Sequence, residues 1–539
     1  MTESNYLFDE IFKSNETSPN IFLINENKEI TYLEFNEIVN QISNYLIDIN
    51  LLPGDRVAIQ AEKNVIQLAT YVATIKAGGV YLPLNTGYTL SELEYFFNDA
   101  KPKVIIVDDK IQNKVKNLVS YSSVSILSLN LDETGSLIEQ IKKYPKKFQS
   151  IKRNENDLAA ILYTSGTTGK SKGAMLSHRN LVSNSEVLRN FWKFTENDVL
   201  LHMLPIYHTH GLFVACNLLA IVGGSMIFLE KFDVEKALLW MKRATSMMGV
   251  PTFYTRLLAS EKLNNESAKH MRLFISGSAP LLSETHIEFE KRTGKKILER
   301  YGMTETNMNI SNPYYGLRKA GTVGISLPGI EIRIVNEEGK EVEVGQIGTI
   351  ELKGENIFKG YWGMEEKTKE SFKDDGFFIT GDLAKKDENG YFTIVGRDKD
   401  MIISGGLNVY PKEIEDVINQ IPDISESAVI GINHYDFGEA VVALVISDNK
   451  KLEINKLTVT IIILPITNIG AFYSSTPYVN PIDNLNINRI FPGNKNGSVS
   501  EKIAHFIATK IIPVSDIFLD AHSGDANEDL LPFVFLHNV

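Results

Sequence analysis

A chain of 539 residues is too long for one core and should fold as two or more domains. Its net charge of −12 excludes a general nucleic-acid binder, and its apolar fraction of 43% is that of an ordinary globular protein. The lone cysteine, Cys216, excludes an internal disulfide and fits a reducing cytoplasm.

The opening residues MTESNYLFDEIF are acidic and lack a basic start, so they do not read as a secretory signal. Apolar spacing predicts an amphipathic helix over 31–49. A turn at Pro53-Gly54-Asp55-Arg56 leads to a strand at 57–59, a helix over 65–78, a strand over 79–84 and a buried strand at 104–107 (VIIV). Strands alternating with helices predict a layered α/β domain with mostly parallel sheets. The same alternation runs over 199–276. Within it, residues 212–229 are apolar enough to suggest a membrane span. Asn217, Gly223, Gly224 and Ser225 interrupt that run and divide it into a helix and a buried strand.

Between an apolar strand at 158–162 and an expected helix start near 174–181 lies YTSGTTGKSKG, residues 163–173. Three glycines let backbone N–H groups approach an anion; hydroxyls and two lysines add donors and charge. The P-loop spacing G-x-x-x-x-G-K-[ST] fails, since only two residues separate Gly166 from Gly169. YTSGTTGKSKG resembles, at every position, the phosphate loop of the adenylate-forming enzymes, the AMP-forming acyl-CoA synthetase superfamily. The resemblance implies that Thr164, Ser165, Gly166, Thr167, Thr168, Gly169, Lys170 and Lys172 hold the β- and γ-phosphates of ATP and let pyrophosphate go.

Further stretches carry the same resemblance. LPIYHTHG places His208 and His210 at a bend. They read either as ordinary loop histidines or as lining for the acyl and thioester chamber; a metal site is disfavoured because no Cys or third His accompanies them. LFISGSAP ends in Gly277, Ser278 and Ala279, a small-residue loop after a strand, where α/β sites sit. LERYGMTET resembles the family's adenine-side motif, with Arg300, Tyr301, Gly302 and Met303 at the nucleotide. By that resemblance Tyr301 stacks on adenine and Thr304 meets the phosphate. Glu305, with Thr164, holds Mg²⁺. Asp382 of Thr380-Gly381-Asp382 and Arg397 of GRDKD would bind ribose, and Lys399 stands at the family's hinge. The segment ISGGLNVYPKEIE, with Gly405 and Gly406, would swing in for the coenzyme A step. The implied layout is a large multi-subdomain AMP-binding domain, 1–398, then a truncated small α+β domain, 399–457.

Among family members the resemblance is greatest to the malonyl-CoA synthetase branch, in LPIYHTHGLF, MMGVPTFYTRLL, LFISGSAPLL and ILERYGMTETNMN. A dicarboxylic acid needs a cation in its pocket, because a buried unpaired carboxylate is costly. Arg256 and Arg300 are the candidates, as substrate ligands or as structural ion pairs.

The family's small domain carries a lysine that reaches the acyl carboxylate during adenylation. Nothing after Lys456 resembles that motif. From about residue 459 the chain resembles the aspartoacylase and succinylglutamate desuccinylase zinc hydrolases, in VTIIILPITNIGAF, DNLNINRIFPG and DIFLDAHSG. That resemblance makes His522 a zinc ligand and puts Asn488 and Arg489 in a substrate motif. The partner His and Glu of the zinc site lack a counterpart in the chain. One ligand is not a zinc site, so 458–539 reads as an α/β hydrolase fragment in which zinc is not expected.

The expectation is therefore an ATP-, Mg²⁺- and coenzyme A-dependent acid–thiol ligase for malonate, impaired by the missing lysine. Alternatives are a synthetase for methylmalonate or a short fatty acid, an inactive nucleotide-binding chimera, and a zinc-dependent hydrolase of N-acyl amino acids. The sequence leaves the oligomeric state open.

Overall fold

The computed structural model describes residues 4–121, 123–164, 171–404, 407–421, 424–434, 438–447, 483, 485, 490, 492–506, 508–509, 518–522 and 533–537. Two compact units divide the chain. The first draws on Met1–Thr86, Leu90–Gln420 and Ala428–Ala443; the second on Gly87–Thr89, Ile421–Ser427 and Leu444–Val539.

The first unit opens with β1 (Ile21–Ile24) and β2 (Glu29–Thr31). The helix Tyr32–Asp48 follows, because Thr31 and Glu34 form a reciprocal capping box at its start. Next come β3 (Arg56–Gln60), β4 (Val80–Pro83), β5 (Val104–Val107), β6 (Ser125–Ser128), β7 (Leu158–Thr164) and β8 (Lys172–Ser177). The chain continues through β9 (Val199–His202), β10 (Ser225–Phe228), β11 (Ser246–Gly249), β12 (Leu273–Ser276), β13 (Ile297–Met303), β14 (Asn307–Ser311) and β15 (Ile325–Ser326). It then forms β16 (Glu331–Val335), β17 (Gly348–Lys353), β18 (Phe378–Lys386) and β19 (Phe392–Arg397).

Among the described residues these strands make three sheets. One has the order β6-β5-β3-β4-β7-β8, the second β15-β14-β13-β12-β11-β9-β10-β1-β2, and the third β16-β17-β18-β19. In the second sheet, β1, β10, β9, β11, β12 and β13 run parallel, and antiparallel strands close both edges. Parallel strands need cover on both faces, which explains why Val104–Val107 and Leu273–Ser276 are buried throughout. The third sheet is antiparallel.

One expectation fails. A helix was expected directly after the phosphate loop, but β8 comes first. It returns antiparallel to β7, with Thr164 opposite Lys172. The helix His178–Phe191 starts only after Ser177, whose side chain caps Asn180 N. Lys172 to Ser177 stay laddered to β7, from Thr164 opposite Lys172 to Leu158 opposite Ser177, so a hairpin, not a helix N-terminus, presents the loop.

A fourth sheet contains β20 (Ile402–Ser404), β21 (Leu407–Val409), β22 (Ile424–His434) and β23 (Gly438–Ser447), in the order β21-β20-β23-β22. The helix Pro411–Ile418 follows β21. In the second unit β24 (Phe518–His522) pairs antiparallel with β25 (Phe533–His537). Among the described residues no helix is long and apolar enough to cross a membrane.

Candidate active site

The strand β13 organises the site. Successive side chains on a strand point to opposite faces, so Arg300 and Tyr301 serve different neighbours.

Tyr301 donates from its hydroxyl to Asp382 Oδ2 at 2.5 Å. Asp382 also sits 3.3 Å from Arg397 Nε, and the two residues pair across β18 and β19. Asp382 N is held by Thr380 Oγ1 at 3.0 Å. Three motifs spread over 97 positions of the chain thus meet in one chain of contacts. Burial pushes the Asp382 carboxyl up, while Tyr301 and Arg397 oppose that shift. Burial, then Asp382, raises the Tyr301 phenol, which therefore stays a neutral donor.

The turn Thr304-Glu305-Thr306 joins β13 to β14. Glu305 is only 7% exposed and accepts from Tyr361 Oη at 3.0 Å. Lys172 Nζ lies over the Tyr361 ring at 5.0 Å. Burial raises the Glu305 carboxyl; the Tyr361 bond and the Lys172 charge pull it back. Thr164, Lys172, Tyr361 and Glu305 thus form a continuous run between the phosphate hairpin and the turn. Among the described residues no three His, Cys, Asp or Glu side chains gather as a metal cage. One buried carboxylate with neighbouring hydroxyl oxygen suits magnesium, which keeps waters and takes substrate phosphate oxygens.

Both ends of the phosphate hairpin are tied to the helix Leu90–Ala100. Tyr163 donates to Asp99 Oδ2 at 2.5 Å, and Tyr95 donates to the Ser171 carbonyl at 2.9 Å. Ser165, Gly166, Thr167, Thr168, Gly169 and Lys170 lie outside the described residues, as do Gly405 and Gly406. Lys399 is exposed in the turn Asp398–Asp400.

On the other side of β13, Arg300 is 3% exposed. Its guanidinium lies flat on Gly277: a Cβ there would stand 2.5 Å from Arg300 Cζ. Nη2 donates to Ser278 Oγ at 3.3 Å, and His210 Nδ1 reaches the same hydroxyl at 3.3 Å. Ser278 holds φ = +71°, a left-handed conformation that is strained for a side-chain residue and recurs at functional sites. Among the described residues Arg300 makes no ion pair, and Arg300 Nε, His210 Nε2 and Asn307 Nδ2 are buried without a hydrogen-bond partner. Burial pushes the Arg300 pKa down to about 9, which still leaves it charged at neutral pH. Burial, with Arg300 next, holds His210 well below the usual imidazole range, so its ring is neutral.

The structure separates the paired candidates. His210 is buried beside Ser278, whereas His208 is exposed, with its ring 4.7 Å from that of Tyr207. Arg300 is buried, whereas Arg256 is exposed on the helix Pro251–Leu258. Ala279 is exposed in the loop after β12. His522 ends β24, and its side chain lies outside the described residues, as do Asn488 and Arg489. Two residues join the site that the sequence did not single out: Asn307, within ILERYGMTETNMN, whose Oδ1 accepts from Thr209 at 2.5 Å, and Tyr361, which stands in no motif.

Known proteins resemble the chain over most of its length. The chain matches the AMP-binding enzyme family over residues 12–362, and the succinylglutamate desuccinylase/aspartoacylase catalytic domain over 440–538. It is 34% identical over 423 residues to the malonate–CoA ligase of Arabidopsis thaliana, covering 74% of this chain and 69% of that one. It is 31% identical over 456 residues to a long-chain-fatty-acid–CoA ligase of Bacillus subtilis, covering 78% and 81%. ATP-bound MatB from Rhodopseudomonas palustris superposes with a TM-score of 0.81 at 53% identity, covering 85% of this chain and 90% of that one.

Proposed function

The chain belongs to the AMP-binding enzyme family, and from that premise we propose that it is an AMP-forming ligase joining malonate to coenzyme A. The observation that carries the choice of acid is Arg300. A buried guanidinium with no carboxylate partner among the described residues is costly unless a ligand supplies one. The far carboxylate of malonate does so, in a wall completed by Ser278 Oγ and His210 Nε2. An apolar acyl tail would leave Arg300 unpaired. Relatives named for malonate support the same reading.

The reaction has two displacements. A carboxylate oxygen of malonate attacks the α-phosphorus of ATP, forming acyl-adenylate and releasing pyrophosphate. The thiol sulfur of coenzyme A then attacks the acyl carbon, the bond to AMP breaks, and the thiol proton is lost. Tyr301, Asp382 and Arg397 orient the nucleoside. Thr164 and Lys172 flank the phosphates at the mouth of the hairpin, and the loop between them adds donors. Glu305, with Thr164, would hold magnesium, which spreads the phosphate charge. Arg300, Ser278 and His210 fix the acid, so that its free end faces the nucleotide. Lys399 is our candidate hinge between 1–398 and 399–457. The lone buried cysteine supports a cytoplasmic setting.

Where the family carries its adenylation lysine, this chain carries hydrolase-like sequence. The first displacement should therefore be slow and the second less affected. The test compares pyrophosphate release from Mg·ATP plus malonate with thioester formation from supplied malonyl-adenylate and coenzyme A. Thioester formation without matching pyrophosphate release is expected. Brisk pyrophosphate release alongside brisk thioester formation would mean that another group replaces the lysine. A panel with methylmalonate, acetate and octanoate checks the acid: preference for a monocarboxylic acid would overturn the role given to Arg300.

A further inference from the structure

Lys63 is a buried amine that the proposed reaction does not use; burial pushes its pKa down to about 7, and its N–H groups can donate whether or not it is charged. It follows β3 and directly precedes Asn64, which caps the helix Val65–Lys76. It is 7% exposed, and among the described residues it makes no ion pair with a carboxylate. Its Nζ lies 2.7 Å from His202 Nδ1, 2.9 Å from the His202 carbonyl and 4.3 Å from the centre of the Phe228 ring. Lys63 lies in the loop three residues past β3 of the six-stranded sheet, and His202 ends β9 of the nine-stranded one, so one side chain links the loop after one sheet to the other.

The far side of the His202 ring continues the chain of contacts. Nε2 lies 2.7 Å from the Gly211 carbonyl. A carbonyl only accepts, and burial keeps His202 neutral, so the ring proton is on Nε2 and Nδ1 must accept from Lys63. Cys216 Sγ donates to the same carbonyl at 3.2 Å. No side chain fits at Gly211, where a Cβ would fall 2.0 Å from Pro205 O. It belongs to the π-helix His210–Cys216, a rare winding found at functional sites. The residue before it is His210, whose buried Nε2 has no partner among the described residues and whose Nδ1 meets Ser278.

We infer that Lys63 is a positioning residue for the acyl pocket: through His202 it fixes the donor that holds the Gly211 carbonyl, and so sets where His210 meets the acid. The inference rests on the malonate reading. A lysine kept only to fill space would be replaceable by methionine, which has similar length and no charge to desolvate. A lysine that holds the His202 tautomer is not.

The experiment is calorimetry on the full chain. Malonate is titrated in the presence of α,β-methylene-ATP, and the nucleotide analogue is titrated separately. Lys63→Met should weaken malonate binding about ten- to a hundredfold, the range for a small misplacement in an acid-binding site, while nucleotide affinity stays within about twofold. His202→Leu should match it. His202→Gln, whose amide still reaches the Gly211 carbonyl as a donor, should keep most of the affinity. Malonate binding unchanged in both Lys63→Met and His202→Leu would overturn the inference. If Lys63→Met no longer binds nucleotide, the contrast between the Gln and Leu variants at 202 decides. If the parent chain binds no malonate, the choice of acid has failed on its own. The ¹⁵N signals of labelled histidines then decide the positioning role: Lys63→Met must move those of both His202 and His210, and an unmoved His210 refutes it.

Discussion

Arg300→Met is the substitution that most sharply tests the acid-binding pocket. Methionine fills much of the arginine's stem volume but carries no charge. In the empty pocket, lowering the guanidinium pKa from 12.5 to about 9 corresponds to roughly 5 kcal/mol against the charged form, which a carboxylate partner would offset. Truncating one member of a buried charge pair costs about 2–5 kcal/mol. We therefore expect malonate to lose about 3 kcal/mol of binding, roughly a hundredfold. The free protein should melt no lower than the parent, because an uncompensated buried charge has gone. The assays are malonate calorimetry, thioester formation from supplied malonyl-adenylate, and a thermal melt. Malonate affinity within threefold of the parent would refute the reasoning, as would a large fall in melting temperature, which would mean that Arg300 supports the fold instead.

Gly277→Ala pushes a Cβ to 2.5 Å from Arg300 Cζ, so malonate affinity should fall at least tenfold while nucleotide affinity holds; calorimetry reads both. Asp382→Asn removes the charged acceptor shared by Tyr301 and Arg397, and the dissociation constant for ATP should rise about tenfold, with malonate little changed. Burial holds the Glu305 carboxyl above the ordinary 4.5, and its ionised form is the one that would bind magnesium in the proposed mechanism. Magnesium-dependent nucleotide binding is therefore present above the raised pKa and lost as pH falls through it. Tyr361→Phe removes a bond that favours the ionised carboxylate, so the acid limb of a pH profile should move to still higher pH.

Local signals in the sequence were enough for elements whose cause is local. VIIV at 104–107 is a buried parallel strand, and the helix expected over 31–49 runs from Tyr32 to Asp48 because Thr31 caps it. The motif residues were equally visible, but their partners were not. Nothing in GRDKD or in Thr380-Gly381-Asp382 indicates that Asp382 accepts from Tyr301, a contact set by sheet packing across 81 positions. Burial separated residues that look alike on paper. Arg256 and Arg300 both follow apolar runs, yet only Arg300 sits on a strand whose neighbour at 277 lacks a side chain. His208 and His210 differ because the π-helix starts at His210. Lys63 and His202 stood in no motif at all; each is read only once two sheets are brought together.

The join between the two family patterns has a physical explanation of its own. Hydrolase-family similarity begins at 440, whereas the synthetase resemblance runs on to about 455, so both claim the strand β23. In the structure that strand serves the fourth sheet: Ser404 pairs with Gly438, and Glu439 accepts from Ile403 N at 2.7 Å. A sheet asks little of such a segment beyond backbone donors and β-forming apolar side chains, and GEAVVALVIS supplies these whichever family it came from. A change of pattern inside a strand can thus leave the sheet paired. The helix Pro411–Ile418 shows what it does not supply. None of its described residues is buried, and Val417 remains exposed, as do Ile403 and Val441 on the strands. Among the described residues the pairing of the fourth sheet outlasts the change in sequence, while Ile403, Val417 and Val441 stay exposed. On the proposed mechanism the adenylation step, for which the family uses a lysine of its small domain, is where loss of activity should appear, while the nucleotide and acid contacts around β13 are made by residues that precede the join.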